Sequence, residues 1–144
     1  ATYAALSPPF HKDAEGAYVG GQFWDGRAKT LEEQAGGPPL NPVEMGMADE
    51  KAIAARITEN KDYVQAFEAF YGKEVLADPE KTFSAATSAI ASFERTPEFS
   101  PFDSRYDRYL RGEVKFTEQE ELGRTLFFSK CAPSTPPAPT SSPM

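Results

Sequence analysis

Between Gly20 and Gly46 the run GGQFWDGRAKTLEEQAGGPPLNPVEMG places Trp24, Gln34, Pro38 and Glu44 along one mostly non-helical segment bracketed by glycines. Each residue type offers something different. A carboxylate such as Glu44 can move a proton when it is held within hydrogen-bond reach of a reacting atom. A glutamine such as Gln34 donates and accepts without becoming charged, so it can orient a small polar ligand. The indole of Trp24 is large and polarizable, and Pro38 adds bulk that shapes a pocket. Taken singly, each also has an ordinary explanation. Trp24 would be a loop anchor, Gln34 a helix-surface residue, and Glu44 a solvated or capping acid near Asp49 and Glu50.

The remaining chemistry is sparse. One histidine, His11, and one cysteine, Cys131, allow neither an internal disulfide nor a Cys/His metal cage. The 144 residues fit one domain of ordinary size. A formal charge of −7 and a sequence pI near 4.8 argue against nucleic acid and anionic membranes as partners. No apolar run approaches the roughly 20 residues that span a bilayer. The start at Ala1 leaves an export signal or a longer upstream segment open.

Punctuation and periodicity predict the elements that must hold these residues. The first 29 residues carry no sustained period and read as an ordered, irregular loop. TLEEQA begins a short helix with a capping box from Thr30 to Glu33, and Gly36, Gly37, Pro38 and Pro39 are expected to end it. DEKAIAARITEN places Ile53 and Ile57 on one helical face, and KDYVQAFEAFYGK repeats the pattern up to a left-handed cap at Gly72. DPEKTFSAATSAIASFERTP starts at Asp78 and Pro79 and carries Phe83, Ala86, Ile90 and Phe93 along one stripe. SPFDSRYDRYLRG is a short helix. TEQEELGRTLFFSKC has a second capping box, Thr117 to Glu120, and a mid-helix glycine, Gly123, that implies a close helix contact or a cofactor edge. No stretch alternates with period two, so the fold is expected to be all-α. The tail PSTPPAPTSSPM has almost nothing to bury and is expected to be disordered.

Several of these stretches, QFWDGRAKTLEEQAGGPPLNPVEMG, SPPFHKDAEGAYVGGQFWDGR, AIASFERT and SPFDSRYDRYLRGE, closely resemble the bacterial di-haem cytochrome c peroxidases and their MauG-type relatives. The resemblance runs from Ala1 to Cys131. It implies a cytochrome-c-like helical domain with long irregular loops, part of a two-domain enzyme. Residues 1–111 would be the C-terminal portion of the first domain with the inter-haem loop, 112–131 a linker and the first helix of the second domain, and 132–144 the tail. By position, Trp24 would lie between the two haems, and Gln34, Pro38 and Glu44 would line the distal face of the peroxidatic haem. Trp24, Pro38 and Cys131 would contact cofactor, which is haem c in this family. The resemblance further implies hydrogen peroxide as substrate, a small cytochrome or cupredoxin as electron donor and a periplasmic setting. It also implies a calcium ion in full-length members, its ligands mostly outside this chain. His11 is expected to be a hydrogen-bonded loop residue, since the family's comparable histidine ligand lies further upstream.

One departure matters. A c-type haem is attached through C-x-x-C-H, and after Cys131 this chain reads APST, with Ser134 and Thr135 at the second cysteine and the histidine. Two classes of function therefore stand side by side: a portion of a peroxide-reducing oxidoreductase, or a haem-free helical module without catalysis of its own. The second would self-associate or bind a protein partner through the apolar surface of Phe83, Ile90, Phe93 and the Trp24 loop.

Overall fold

Each of the α-helices among the described residues starts on a side-chain cap. The computed structural model describes residues 2–131; the stretch 132–144, expected to be disordered, lies outside them. Helix α1 (Leu31–Leu40) begins at Thr30, α2 (Glu50–Thr58) at Asp49 and α3 (Lys61–Tyr71) at Asn60. In turn α4 (Pro79–Glu94) begins at Asp78, α5 (Arg105–Leu110) at Ser104 and α6 (Glu118–Leu126) at Thr117. In every case the cap oxygen accepts a backbone N–H that the first turn cannot otherwise satisfy. The α5 and α6 caps are complete capping boxes. At Thr30 the box is split: Thr30 accepts from the Glu33 N–H, but the Glu33 carboxylate accepts from Lys29 at 2.7 Å.

Among the described residues the fold is all-α apart from one short ladder and an isolated bridge between Gln22 and Ala28. His11–Lys12 (β1) pairs antiparallel with Tyr18–Val19 (β2), closed by a turn in which Asp13 accepts from Ala17 and Gly16. Two residues per strand are too few to show an alternating pattern, so the sequence reads only as loop.

Helix α1 corrects a second expectation. It continues through Pro38 and Pro39 to Leu40. The prolines remove two N–H donors from the last turn, but Gly37 has no Cβ to clash with the Pro38 ring. The chain that follows supplies donors instead. Asn41 donates to Gly37, Met45 to Pro38 and Met47 to Pro39, folding residues 41–47 back onto the end of the helix. Gly72 ends α3 as foreseen, though with φ 88° and ψ 158°. That is an extended conformation reserved for glycine rather than the left-handed helical one.

The chain divides into two units, Ala1–Ser100 and Pro101–Met144. In the first, α4 packs against α1 and α2. Its buried face is Thr82, Ala85, Thr87, Ala91 and Glu94, while Ile90 and Phe93 of the expected stripe are exposed and Phe83 is half-buried. Small side chains permit close approach of the helices, and Gly36 of α1 lies against the Phe83 ring at that contact. The apolar core is correspondingly small-residue: Ala28, Leu31, Ala35, Ala54, Val75, Ala85 and Ala91. In the second unit Tyr106, Tyr109 and Phe116 stack between α5 and α6, and Arg105 pairs with Glu120 at 2.6 Å. Gly123 makes no close contact among the described residues; it lines an apolar pocket with Tyr106, Phe116 and Phe127.

One glycine fixes the loop that carries Trp24. Gly20 has φ 77°, and a Cβ there would stand 2.3 Å from the Pro8 carbonyl oxygen. Because backbone is the obstacle, Gly20→Ala is expected to destabilise the first unit by about 2–3 kcal/mol, combining left-handed strain with a clash. Urea unfolding of the variant beside the parent chain measures it. A loss under 0.5 kcal/mol, about the scatter of a neutral surface change, would show that the loop relaxes freely.

Candidate functional site

Residues 22–28 form a small loop closed at its neck. The Gln22 N–H donates to Ala28 at 2.7 Å, and the Gln22 amide group donates to Ala4 at 3.1 Å, tying the loop to the N-terminal turn. Gln22 and Ala28 are buried, and Trp24 stands between them in sequence, fully exposed. Beside it Phe23 takes φ 64°, a conformation that non-glycine residues rarely adopt. Its ring is pinned on two sides, over Gly37 of α1 and under the Arg27 guanidinium at 4.0 Å. Arg27 in turn pairs with Asp25 at 3.1 Å, and the Arg27 contacts hold the Asp25 carboxyl below its ordinary value. The loop is therefore stiff around an uncovered indole.

Next to it lies a cleft of about 450 Å³ lined by Ala4, Gln22, Phe23, Trp24, Gln34 and Glu94. Two of the residues picked from sequence, Trp24 and Gln34, thus share one wall. Pro38 is one turn beyond Gln34 on the same face of α1. Glu44 is not a lining residue of this cleft. It is exposed on the returning turn, where its Oε1 accepts from the Asn41 side chain at 2.8 Å. Asn41 also accepts from the Val43 N–H at 3.1 Å, so one amide both shapes the turn and aims the carboxylate. The Met45 and Met47 bonds to Pro38 and Pro39 hold that turn against the end of α1.

An ion pair joins the first turn of α1 to the end of α4. Arg95 donates to Glu32 at 2.7 Å, which holds the Glu32 carboxyl at about 2, well under its ordinary 4.5, and raises Arg95. Since the folded carboxylate titrates lower than the unfolded one, the pair stabilises the fold above pH about 4.5. That contribution is lost as pH falls from there through about 2. Both side chains are more than a third exposed, so solvent screening limits the pair to about 1 kcal/mol or less. Glu32→Gln is expected to lower stability at neutral pH by the pair's contribution of about 1 kcal/mol or less, with the difference from the parent vanishing as pH falls through about 2, so that the acid limb flattens by that amount. Urea midpoints taken down the pH scale test it, and an unchanged acid limb would rule it out.

The other two chemically distinctive residues stand apart. His11 is exposed in β1, with Nδ1 against the Pro9 carbonyl oxygen at 2.7 Å. Cys131 belongs to the second unit, at the end of the π-helical turn Phe127–Cys131 that follows α6. Among the described residues, no group of three or more His, Cys, Asp or Glu could hold a metal ion. Sequence reading missed Asn41, Phe23 and Glu94. Asn41 follows a Pro-Pro pair three positions before an acid, which is a readable turn signal. Nothing local marks the other two, because their placement is tertiary.

The family described as di-haem cytochrome c peroxidase matches residues 4–115. The chain is 59% identical over 127 residues to the methylamine utilization protein MauG of Paracoccus denitrificans, covering 88% of this chain and 33% of that protein. It is 41% identical over 118 residues to the cytochrome c peroxidase Ccp of Escherichia coli, covering 77% of this chain and 23% of the relative. Its fold superposes on the diheme peroxidase BthA of Burkholderia thailandensis with a TM-score of 0.79 and 35% identity, over 88% of this chain and 30% of that one. The chain thus spans about a third or less of the length of these relatives. Matched over most of its length in both sequence and fold, it belongs to the di-haem cytochrome c peroxidase family.

Proposed function

We propose that this chain supplies the distal wall and inter-haem loop of a periplasmic oxidoreductase that reduces hydrogen peroxide with electrons from a small redox protein. The observation that supports it most is the joint position of Trp24 and Gln34 on one cleft, with the Glu44 turn bonded to the end of the helix that carries Gln34 and Pro38. The residues present suit one face of a haem. Phe23 and Trp24 offer flat apolar surface, Gln34 a neutral donor, and Glu94 a carboxylate oxygen that nothing else occupies. They do not supply the paired cysteines of the usual C-x-x-C-H attachment, since Cys131 is the chain's one cysteine. Haem c, when bound, supplies the redox chemistry that cleaves the peroxide O–O bond.

The overall reaction takes one peroxide, two protons and two electrons to two waters. Within it, Gln34 orients the peroxide by donating to one oxygen and accepting from the other's proton. Glu44 moves a proton between the two oxygens. Asn41 holds its Oε1 and leaves Oε2 for that transfer. Pro38 narrows the pocket, and the exposed indole of Trp24 provides a polarizable path between redox centres. No helix among the described residues is long and apolar enough to cross a membrane.

A second reading rests on the uncovered apolar surface. Trp24, Phe70, Ile90 and Phe93 are all exposed in this chain. A haem-free form would associate with itself or with a protein partner through them. An absorption spectrum beside an intact mass separates the two. A Soret band with mass above the polypeptide supports the peroxidase reading. A colourless protein of polypeptide mass that dimerises with concentration supports the other.

A further inference from the structure

Glu94 is the last residue of α4 and is 9% exposed, yet its Oε2 has no hydrogen-bond partner among the described residues. The adjacent guanidinium is not its partner: Arg95 is committed to Glu32 at 2.7 Å and acts on Glu94 only through space. A buried carboxylate oxygen left bare is costly, and native folds rarely leave one without a compensating donor. Glu94 is one of the residues that line the cleft, together with the polar Gln22 and Gln34 and the apolar Ala4, Phe23 and Trp24. The Gln22 amide donates one of its two N–H groups to Ala4 at 3.1 Å. No described residue donates to Oε2, and the cleft that Glu94 lines offers the place for a donor.

We propose that Glu94 is a binding residue of this cleft, its Oε2 accepting a hydrogen bond from a small hydroxylic ligand, water or hydrogen peroxide, held beside Gln34. The peroxide case rests on the function proposed above; the hydrogen bond itself does not. Glu94 and Gln34 together make a complementary pair for such a molecule, one accepting its O–H and the other able to donate to its oxygen. No proton transfer is assigned to Glu94.

The test uses the intact protein as isolated, its Glu94→Gln variant and difference infrared spectroscopy. Subtracting the variant identifies the Glu94 carboxyl band. Saturating hydrogen peroxide, or replacing H₂O by D₂O in its absence, is expected to shift that band, and Glu94→Gln is expected to raise KM for peroxide about tenfold with kcat changed less. Glu94→Gln should also unfold at the same or a higher temperature, because it removes a buried charge. A Glu94 band that responds to neither peroxide nor D₂O overturns the proposal, whether or not the protein turns peroxide over. A band that shifts in a protein without peroxidase activity upholds the binding role and sinks the proposed function instead.

Discussion

Glu44→Gln in the intact, haem-loaded protein is expected to lower kcat/KM for hydrogen peroxide at least about 100-fold, within the range a positioned acid–base group contributes. The substitution is chosen because it spares the fold. A glutamine keeps an oxygen where Oε1 accepts from Asn41 at 2.8 Å, so the turn 41–47 and its bonds to Pro38 and Pro39 persist. What disappears is a group able to hold a proton between two oxygens. Asn41→Ala provides the graded comparison. It leaves the carboxylate in place but frees its orientation and unties the Val43 N–H. A loss of about tenfold there, set against the larger loss at Glu44, would separate aiming from proton transfer. If Glu44→Gln keeps full peroxide turnover with its haem spectrum intact, Glu44 is a turn residue and the acid–base assignment falls.

Helix starts were legible because caps are local chemistry. Asp49, Asp78 with Pro79, and Thr117 with Glu120 each satisfy N–H groups within three residues, and no distant contact is needed to read them. The end of α1 was not legible, because the bonds that carry it through Pro38 and Pro39 come from Met45 and Met47. A proline pair reads as a stop unless the returning chain is known. The buried face of α4 was misjudged for a related reason. Periodicity ranks Phe83, Ile90 and Phe93 above Ala85 and Ala91, whereas close helix packing selects the alanines and leaves Ile90 and Phe93 outside. Trp24 and Gln34 line one cleft in the structure, whereas the sequence alone marks them only as residue types that could do chemistry. Glu94 could not be read, since an acid at a helix end ordinarily faces solvent and its burial here is tertiary.

Thr82→Ala is expected to cost about 3 kcal/mol, the largest stability loss of any single change considered in this fold. Thr82 is wholly buried near the start of α4, and its hydroxyl donates toward the Val75 carbonyl at 2.8 Å and lies 2.9 Å from that of Asp78. The Asp78 carbonyl keeps a partner in the Thr82 N–H, as any helix would provide. The Val75 carbonyl belongs to a buried residue on the 3-10 turn Lys73–Ala77, and the hydroxyl ties that turn to α4. Removing the hydroxyl strands that acceptor, worth about 1–3 kcal/mol, and deleting the methyl adds a void at a close-packed contact, about 1 kcal/mol more. Thr82→Val divides the two effects: it refills the volume, leaves the carbonyl bare and should recover only the void's share. Calorimetric melting of both variants checks the split. Equal melting temperatures for Thr82→Val and the parent would mean that the Val75 carbonyl finds another donor and that the tie between turn and helix is packing alone. The consequence reaches the site, because α4 runs from Thr82 at one end to Glu94 at the other, and α1, which carries Gln34, packs along it. Loosening the first turn of α4 is therefore expected to weaken the wall that holds the cleft together.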